Sequence, residues 1–347
     1  MASIFELVTA TEIVAYWETL SVNESPYLGE ELFDDQQKLG LDIKWIKGAN
    51  GLPVTLLPSA YDVAAKKRDR LGFEKVSMEM PFFKESVTID EELRQQLNMV
   101  IETGNQAYID SILNRVFNDD VNLLRGARAQ RERMRMMLLT TGMISISANG
   151  QDYDYDYGMN EDQKKIVTKS WSDPEADIIG DIESWQDQIE ESTGVVPKRA
   201  ICTKKTFGYL LKNKAIRDAI WGNDSSAPVS KEKVLQYIST ELDLTLVIYN
   251  KKYKDETGTE KKFVPDDTFV LFPEGYLGTG WFGTTPEQSD LMSGSGTNAL
   301  VVITDTGVAV TTTKITDPVN VETKVSMIYL PSFEAIDQVI IADVIAA

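Results

Sequence analysis

Residues 249–283 read YNKKYKDETGTEKKFVPDDTFVLFPEGYLGTGWFG, and their local chemistry specifies strand, turn and strand in succession. The run that leads in, residues 244–249 (LTLVIY), is continuous, apolar, rich in β-branched side chains and of strand length. Residues 268–272 (TFVLF) form a second such run. Between them Asp255-Glu256-Thr257-Gly258 supplies a polar turn ending in Gly, and Pro265-Asp266-Asp267 punctuates the return. The spacing predicts a hairpin that feeds a central strand.

Working outward, helical spacing is expected over 204–212 and 230–242, with a strand over 195–203. Upstream, Ser172-Asp173-Pro174 offers an Asp cap with Pro at the first helical position. The helix it opens carries an apolar stripe of Ile178, Ile182, Trp185 and Ile189, an acidic opposite face, and Gly194 as its stop. Downstream, strands are expected over 299–304, 308–315, 324–330 and 338–344. This mixture of helices and strands is an α+β pattern. A longer helical stretch runs over 90–141, with Asp90 as cap and Gly104 as break. Its apolar spacing runs through Tyr108, Ile112, Val116 or Phe117, Val121, Leu124, Met134 and Leu138. Arg125, Arg128, Arg131, Arg133 and Arg135 decorate it. They wrap around the helix without an aromatic-interleaved stripe, so ion pairs to neighbouring subunits are expected ahead of nucleic-acid binding.

At the amino-terminal end, Thr9 and Glu12 fit a capping box, followed by Ile13, Tyr16, Trp17 and Leu20 at helical spacing. Acids dominate over 24–35, around Tyr27, Leu28, Leu32 and Phe33. Residues 43–47 (IKWIK) half-alternate, and Val76, Met78, Met80 and Phe82 alternate strictly with Ser77, Glu79 and Pro81, as the two legs of a long hairpin. The outer part of that hairpin, with Lys66, Lys67, Arg68 and Arg70, is basic in an acidic protein.

Three blocks carry a family resemblance. The order Tyr253, Gly258, Lys262, Phe263, Pro265, Asp266, Thr268, Val270, Leu271 resembles the corresponding hairpin of the lambda-type major capsid proteins of tailed bacteriophages. Ser25-Pro26-Tyr27-Leu28 and Glu31-Leu32-Phe33, then Leu52-Pro53-Val54-Thr55-Leu56-Leu57-Pro58, then Gly72-Phe73 through Pro81-Phe82 look like that family's amino-terminal arm and extended loop. Asp317-Pro318 onward to Ile340, with Tyr329-Leu330-Pro331 and a terminal strand, is similar to its close. Each motif is weak alone, yet three in family order span most of the chain. The resemblance implies an α+β fold of the Hong Kong 97 type. Its parts are an N-terminal arm over 1–40, an extended β-hairpin loop over 41–89, and a peripheral domain with a long spine helix over 90–172. An axial domain follows over 173–316, with strands returning to the peripheral domain, and C-terminal strands occupy 317–347. It also implies a major capsid (head) protein of the virion that self-assembles through pentamers and hexamers into an icosahedral shell around the phage double-stranded DNA, with a portal. Because the arm motif begins within the first thirty or so residues, no cleavable scaffolding segment fits ahead of it, and a separate scaffolding protein is expected.

Composition narrows the alternatives. With 347 residues, 42% hydrophobic, the chain can hold one large or two ordinary cores. No apolar run reaches the roughly 18 residues of a membrane helix, and the start lacks a secretory pattern. Assembly in the bacterial host cytoplasm is the corresponding expectation, with no membrane partner. Histidine is absent, which removes Ser-His-Asp, Cys-His and His-metal chemistries. Cys202, the only cysteine, sits in an apolar run and is expected to be buried. The net charge of −19 argues against gripping phosphate backbones, so packaged DNA is expected to be met by non-specific proximity only. Such a charge suits a DNA container and equally suits an ordinary soluble acidic protein. The run Asp152-Tyr153-Asp154-Tyr155-Asp156-Tyr157-Gly158 invites a calcium reading, but an EF-hand loop would need Gly and Glu where Tyr157 and Gln163 stand. As a strand it places Tyr on one face and Asp on the other.

No catalytic residue, cofactor or metal ligand is therefore expected. The candidate inter-subunit contacts are Leu28, Leu32 and Phe33 of the arm, docking on a neighbour, and Lys66, Lys67, Arg68 and Arg70 of the loop, reaching an acidic patch on the adjacent subunit. Two alternatives stand beside the capsid reading: an encapsulin-type nanocompartment shell, and a carboxylate-dependent hydrolase built on a pair among the 54 acids.

Overall fold

The computed structural model describes residues 7–47, 74–89, 91–103, 106–148, 150–222, 228–293, 299–316 and 319–346. The first elements are α1 (Ala10–Ser21), α2 (Leu28–Leu32), β1 (Phe33–Gln37), β2 (Asp42–Lys47), β3 (Glu74–Glu79) and β4 (Phe82–Thr88). Then come α3 (Glu91–Thr103), α4 (Gln106–Thr141), β5 (Met143–Ala148), β6 (Gln151–Asp156), β7 (Lys164–Ile166), α5 (Ile178–Thr193) and β8 (Arg199–Cys202). Next are α6 (Lys204–Lys212), α7 (Lys214–Trp221), α8 (Lys231–Leu242), β9 (Thr245–Ile248), β10 (Lys252–Lys254), β11 (Glu260–Lys262) and β12 (Thr268–Phe272). The chain closes with β13 (Gly278–Phe282), α9 (Pro286–Ser293), β14 (Leu300–Thr304), β15 (Val308–Thr316), β16 (Val319–Pro331) and β17 (Ile340–Asp343). They fall into two compact units. Unit one takes residues 1–43, 78–132 and 279–332; unit two takes 44–77, 133–278 and 333–347. Of the segment 173–316, residues 173–278 lie in unit two and 279–316 in unit one.

In unit two a five-stranded sheet has the order β7-β17-β12-β8-β9. The strand anticipated at 268–272 is its middle member, antiparallel to β17 on one side and to β8 on the other. Phe269, Val270, Leu271 and Phe272 are all fully buried, as a continuous apolar run in a two-sided sheet requires. Its feeder is the antiparallel pair β10–β11, in which Tyr253 faces Lys261 and Gly258 takes φ 78° in the turn. The parallel neighbours β8 and β9 need a crossover, which α6, α7 and α8 supply. The stripe Ile178, Ile182, Trp185, Ile189 is buried as expected, and Gly194 closes α5 at φ 74°.

Three boundaries differ from the sequence reading by four residues or more, one of them the start of β16, expected at 324 and found at Val319. Asp173 and Pro174 form a turn, and α5 begins at Ile178 with Asp177 as the cap that accepts from the Gly180 N–H. The strand expected over 195–203 is confined to Arg199–Cys202, because Pro197 carries no ladder N–H. Helix α7 was not anticipated; Asn213 caps it, accepting from the Ile216 N–H at 3.0 Å.

Unit one is built on a six-stranded sheet ordered β1-β13-β16-β15-β14, with β4 also paired to β16. Along β16, burial alternates through Val321, Thr323 and Val325, then becomes continuous from Ser326 to Leu330. The strand thus passes from a one-sided to a two-sided environment. Helix α1 lies against β14 and β15 through Ala10, Ile13, Val14 and Trp17, all buried, and Thr9 caps it by accepting from the Glu12 N–H. The helical stretch over 90–141 is present as α3 and α4; Asp90, expected as its cap, and Gly104, expected as its break, lie outside the described residues. Tyr108 departs from its apolar stripe and is 60% exposed. The two hairpin legs pair as β2–β3, whereas Phe82 belongs to β4 and the main sheet.

Candidate functional site

The densest polar constellation in unit one joins the acidic segment 24–35 to the arginine-bearing face of α4. Arg125, Arg128 and Arg131, three residues apart, share that face. Glu24 bridges two of them, accepting from Arg125 Nε at 2.7 Å and from Arg128 Nη1 at 3.3 Å. Arg128 also forks onto Glu30, with Nε–Oε1 at 2.6 Å and Nη2–Oε2 at 2.7 Å, while its guanidinium stacks over the Tyr27 ring at 5.3 Å. Arg131, 6% exposed at its side chain, holds Asp305 at 2.9 Å and Asp35 at 3.6 Å. Asp305 sits in the β14–β15 turn with Asp305 and Thr306 both at positive φ, and its other oxygen accepts from Trp17 Nε1 at 3.3 Å.

The start of α2 completes the clasp. Glu132, fully buried, accepts from the Gly29 N–H at 3.0 and 3.3 Å, placing an anion where the first helical N–H groups are otherwise unpaired. Glu30 in turn accepts from the Tyr27 N–H at 3.1 Å. Burial alone would push the Glu30 carboxyl up, but the hydrogen bonds and charge of Arg128 outweigh it and leave Glu30 below the ordinary carboxylate range. Conversely the Glu30 hydrogen bond raises Arg128.

These contacts lie within a single chain and involve the arm's apolar residues as well. Leu28, Leu32 and Phe33 are 8%, 0% and 1% exposed within the chain itself. In the chain as folded they are buried in the subunit's own core. The arginines are likewise engaged inside the chain: Arg133, in unit two, pairs with Glu256 and stacks over Tyr253 of the β10–β11 hairpin, and Arg135 is buried. Sequence spacing shows the charges and not these partners within the chain, which lie 98 to 174 positions away. Glu132 and Asp305 were not anticipated at all. The only signal for Asp305 was the turn-forming Asp-Thr-Gly that carries it. Lys66, Lys67, Arg68 and Arg70 lie outside the described residues.

Cys202 is buried, and burial pushes its thiol up to about 12, far from a reactive thiolate. The tyrosine-aspartate run forms β6, with Tyr153 and Tyr155 stacked at 6.3 Å and the aspartates exposed on the other face. Among the described residues no three acid or cysteine side chains are grouped to hold a metal ion.

Comparison with known proteins adds the remaining observation. A family model described as phage major capsid protein E matches residues 9–344. No curated protein matches the chain. Among solved structures, a protein assigned as the capsid protein of an Escherichia coli CFT073 prophage is 17% identical, with a TM-score of 0.59 over 98% of this chain and 99% of that one. A phage-related protein from Bordetella bronchiseptica RB50 is 13% identical, with a TM-score of 0.55 over 95% and 96%. The capsid of cyanophage A-1(L) is 11% identical, with a TM-score of 0.50 over 92% of both chains. At such identities the likeness is one of fold.

Proposed function

The chain belongs to the phage major capsid protein E family, and from that premise we propose how it builds its shell. It is a major capsid protein, a component of the virion that associates with itself to form the head shell. We read the shell as icosahedral, made of pentamers and hexamers in a Hong Kong 97-like arrangement around the phage double-stranded DNA. In that reading unit two, with its five-stranded sheet, is the axial domain, and unit one, with most of the long helix α4, is the peripheral domain. The loop residues Lys66, Lys67, Arg68 and Arg70 remain the candidates for contact with an acidic surface of the next subunit. A separate scaffolding protein and a portal are the proposed partners, and the host cytoplasm the proposed place of assembly. The net charge of −19 supports a wall that meets DNA without gripping it.

The family match over residues 9–344 carries this reading. It favours a phage head over an encapsulin-type compartment, and the family and fold are those of a structural protein, not a hydrolase. Electron microscopy of the purified chain, alone and with its scaffolding partner, tests it. Closed shells of uniform size are expected, and their loss is expected when Lys66, Lys67, Arg68 and Arg70 are replaced together by Glu. A parent chain that stays monomeric in both preparations would overturn the shell reading. Normal shells from the quadruple variant would remove only the loop's role.

A further inference from the structure

In unit one a cleft of about 300 Å3 opens between the end of β4, α3 and α4, with Val87, Thr88, Ile89, Glu92, Asp119 and Asp120 in its lining. Asp120 is 1% exposed, and its Oδ2 has no hydrogen-bond partner. The neighbouring hydroxyl, Thr323 Oγ1 from β16, has none either, although Thr323 is equally buried. This sets Asp120 apart from Glu24, Glu30 and Asp305, each of which meets an arginine of the same helix. A buried carboxylate with no ion pair and only a hydroxyl beside it is costly by several kcal/mol, and the usual resolution is that the group keeps its proton.

We propose that Asp120 is a proton-binding site, held as the neutral acid between α4 and the sheet, and that losing this proton loosens the packing of α4 against β4 and β16. Among the described residues the groups that face it are few. Glu92 comes from α3, Arg115 and Asp119 from α4 itself, and the strands contribute only the uncharged Val87, Thr88 and Thr323. Burial is the main cause that pushes the Asp120 carboxyl up to about 7; the Thr323 hydroxyl opposes it and the charge of Asp119 adds to it. Thr323 can serve either form, as donor to the anion or acceptor from the acid.

The sign follows from linkage. The folded state holds the proton more tightly than the unfolded chain, whose ordinary value is 3.8. The contribution to stability is therefore complete below that value, drains away as pH rises toward about 7, and is absent above it. At most it amounts to about a thousandfold in the folding equilibrium.

Asp120→Asn keeps the shape and cannot ionise. Urea unfolding of the full chain and this variant between pH 4 and 8 should show the variant gaining on the parent as pH rises, with the ratio levelling near neutrality. A ratio that stays constant across the range overturns the proposal. Hydrogen exchange on the unmodified chain gives a second reading that does not depend on the variant folding. After correction for intrinsic rates, protection of the α4 amides flanking Asp120 should fall between pH 6 and 8, and protection unchanged over that range equally overturns it. Both readouts concern the subunit alone, so they stand or fall independently of shell assembly.

Discussion

The middle strand of unit two and the arginine face of α4 in unit one are held by different forces. Around β12 the contacts are apolar: Phe269 lies 5.2 Å from Trp171 and 6.2 Å from Trp185, and its strand neighbours are buried on both faces. Around Arg128 the contacts are charged, directional and only partly withdrawn from water, with side-chain exposures of 12% for Arg128, 30% for Glu24 and 27% for Glu30. Apolar burial stabilises by about 1.5–3 kcal/mol per large side chain, and partly exposed ion pairs by much less. Beneath the charged clasp, however, Leu32 and Phe33 are as buried as Phe269. The ion pairs therefore set how the amino-terminal segment lies on α4, and the apolar side chains supply most of the energy that keeps it there.

That comparison breaks if the two regions respond differently to truncation of their cores. Phe269→Ala should cost about 3–5 kcal/mol, and Leu32→Ala about 2–5 kcal/mol, measured by calorimetric melting of the full chain. A Leu32→Ala variant that melts like the parent would show the segment to be a loosely held docking arm after all. Loss of one calorimetric transition while another persists would show that the two units unfold separately.

The same contrast explains what the sequence made legible. Strands β12, β14, β15 and β16 and helices α5, α6 and α8 announce themselves through period, turn residues and caps, because those signals arise within a few positions of the residue they govern. The run from Lys324 to Leu330 is enough to find a strand, although β16 begins five positions earlier, at Val319. Arg128 and Glu30 are 98 positions apart, so nothing local shows that they meet. Acids around Leu28, Leu32 and Phe33 therefore looked like a segment awaiting an outside partner, when the partner was a helix of the same chain. Asp120 was hidden for a related reason: in sequence it is one acid among 54, and only the fold shows that its Oδ2 is buried without a hydrogen-bond partner.

A smaller effect sharpens the charged side. Arg128→Ala removes a forked pair and a ring contact and should cost about 1–2 kcal/mol, less at high salt. Because the Glu30 carboxyl is held below its ordinary 4.5, its contribution is present above that pH and lost as the pH falls through and below it. Acid melting curves of the parent and Arg128→Ala should therefore converge as pH drops below about 4.5. Curves that stay parallel down to strong acid would mean that Arg128 acts through its stacking on Tyr27 and not through Glu30.

The smallest effect belongs to the hairpin that first marked the fold. Lys252 and Glu260 pair diagonally across β10 and β11 at 3.1 Å, Glu260 standing opposite Lys254 in the register, but their side chains are 54% and 61% exposed. Water screens such a pair, and fixing two long side chains offsets most of the attraction. Lys252→Ala should therefore shift stability by no more than about 0.5 kcal/mol. The register does not depend on that pair: it is set by the turn at Gly258 and by Phe263, which is buried and lies 5.0 Å from Tyr253. If Lys252→Ala proved as costly as Arg128→Ala, exposure would not be what separates strong from weak ion pairs in this protein. The ranking of apolar core, partly buried clasp and exposed pair would then have to be rebuilt on geometry alone.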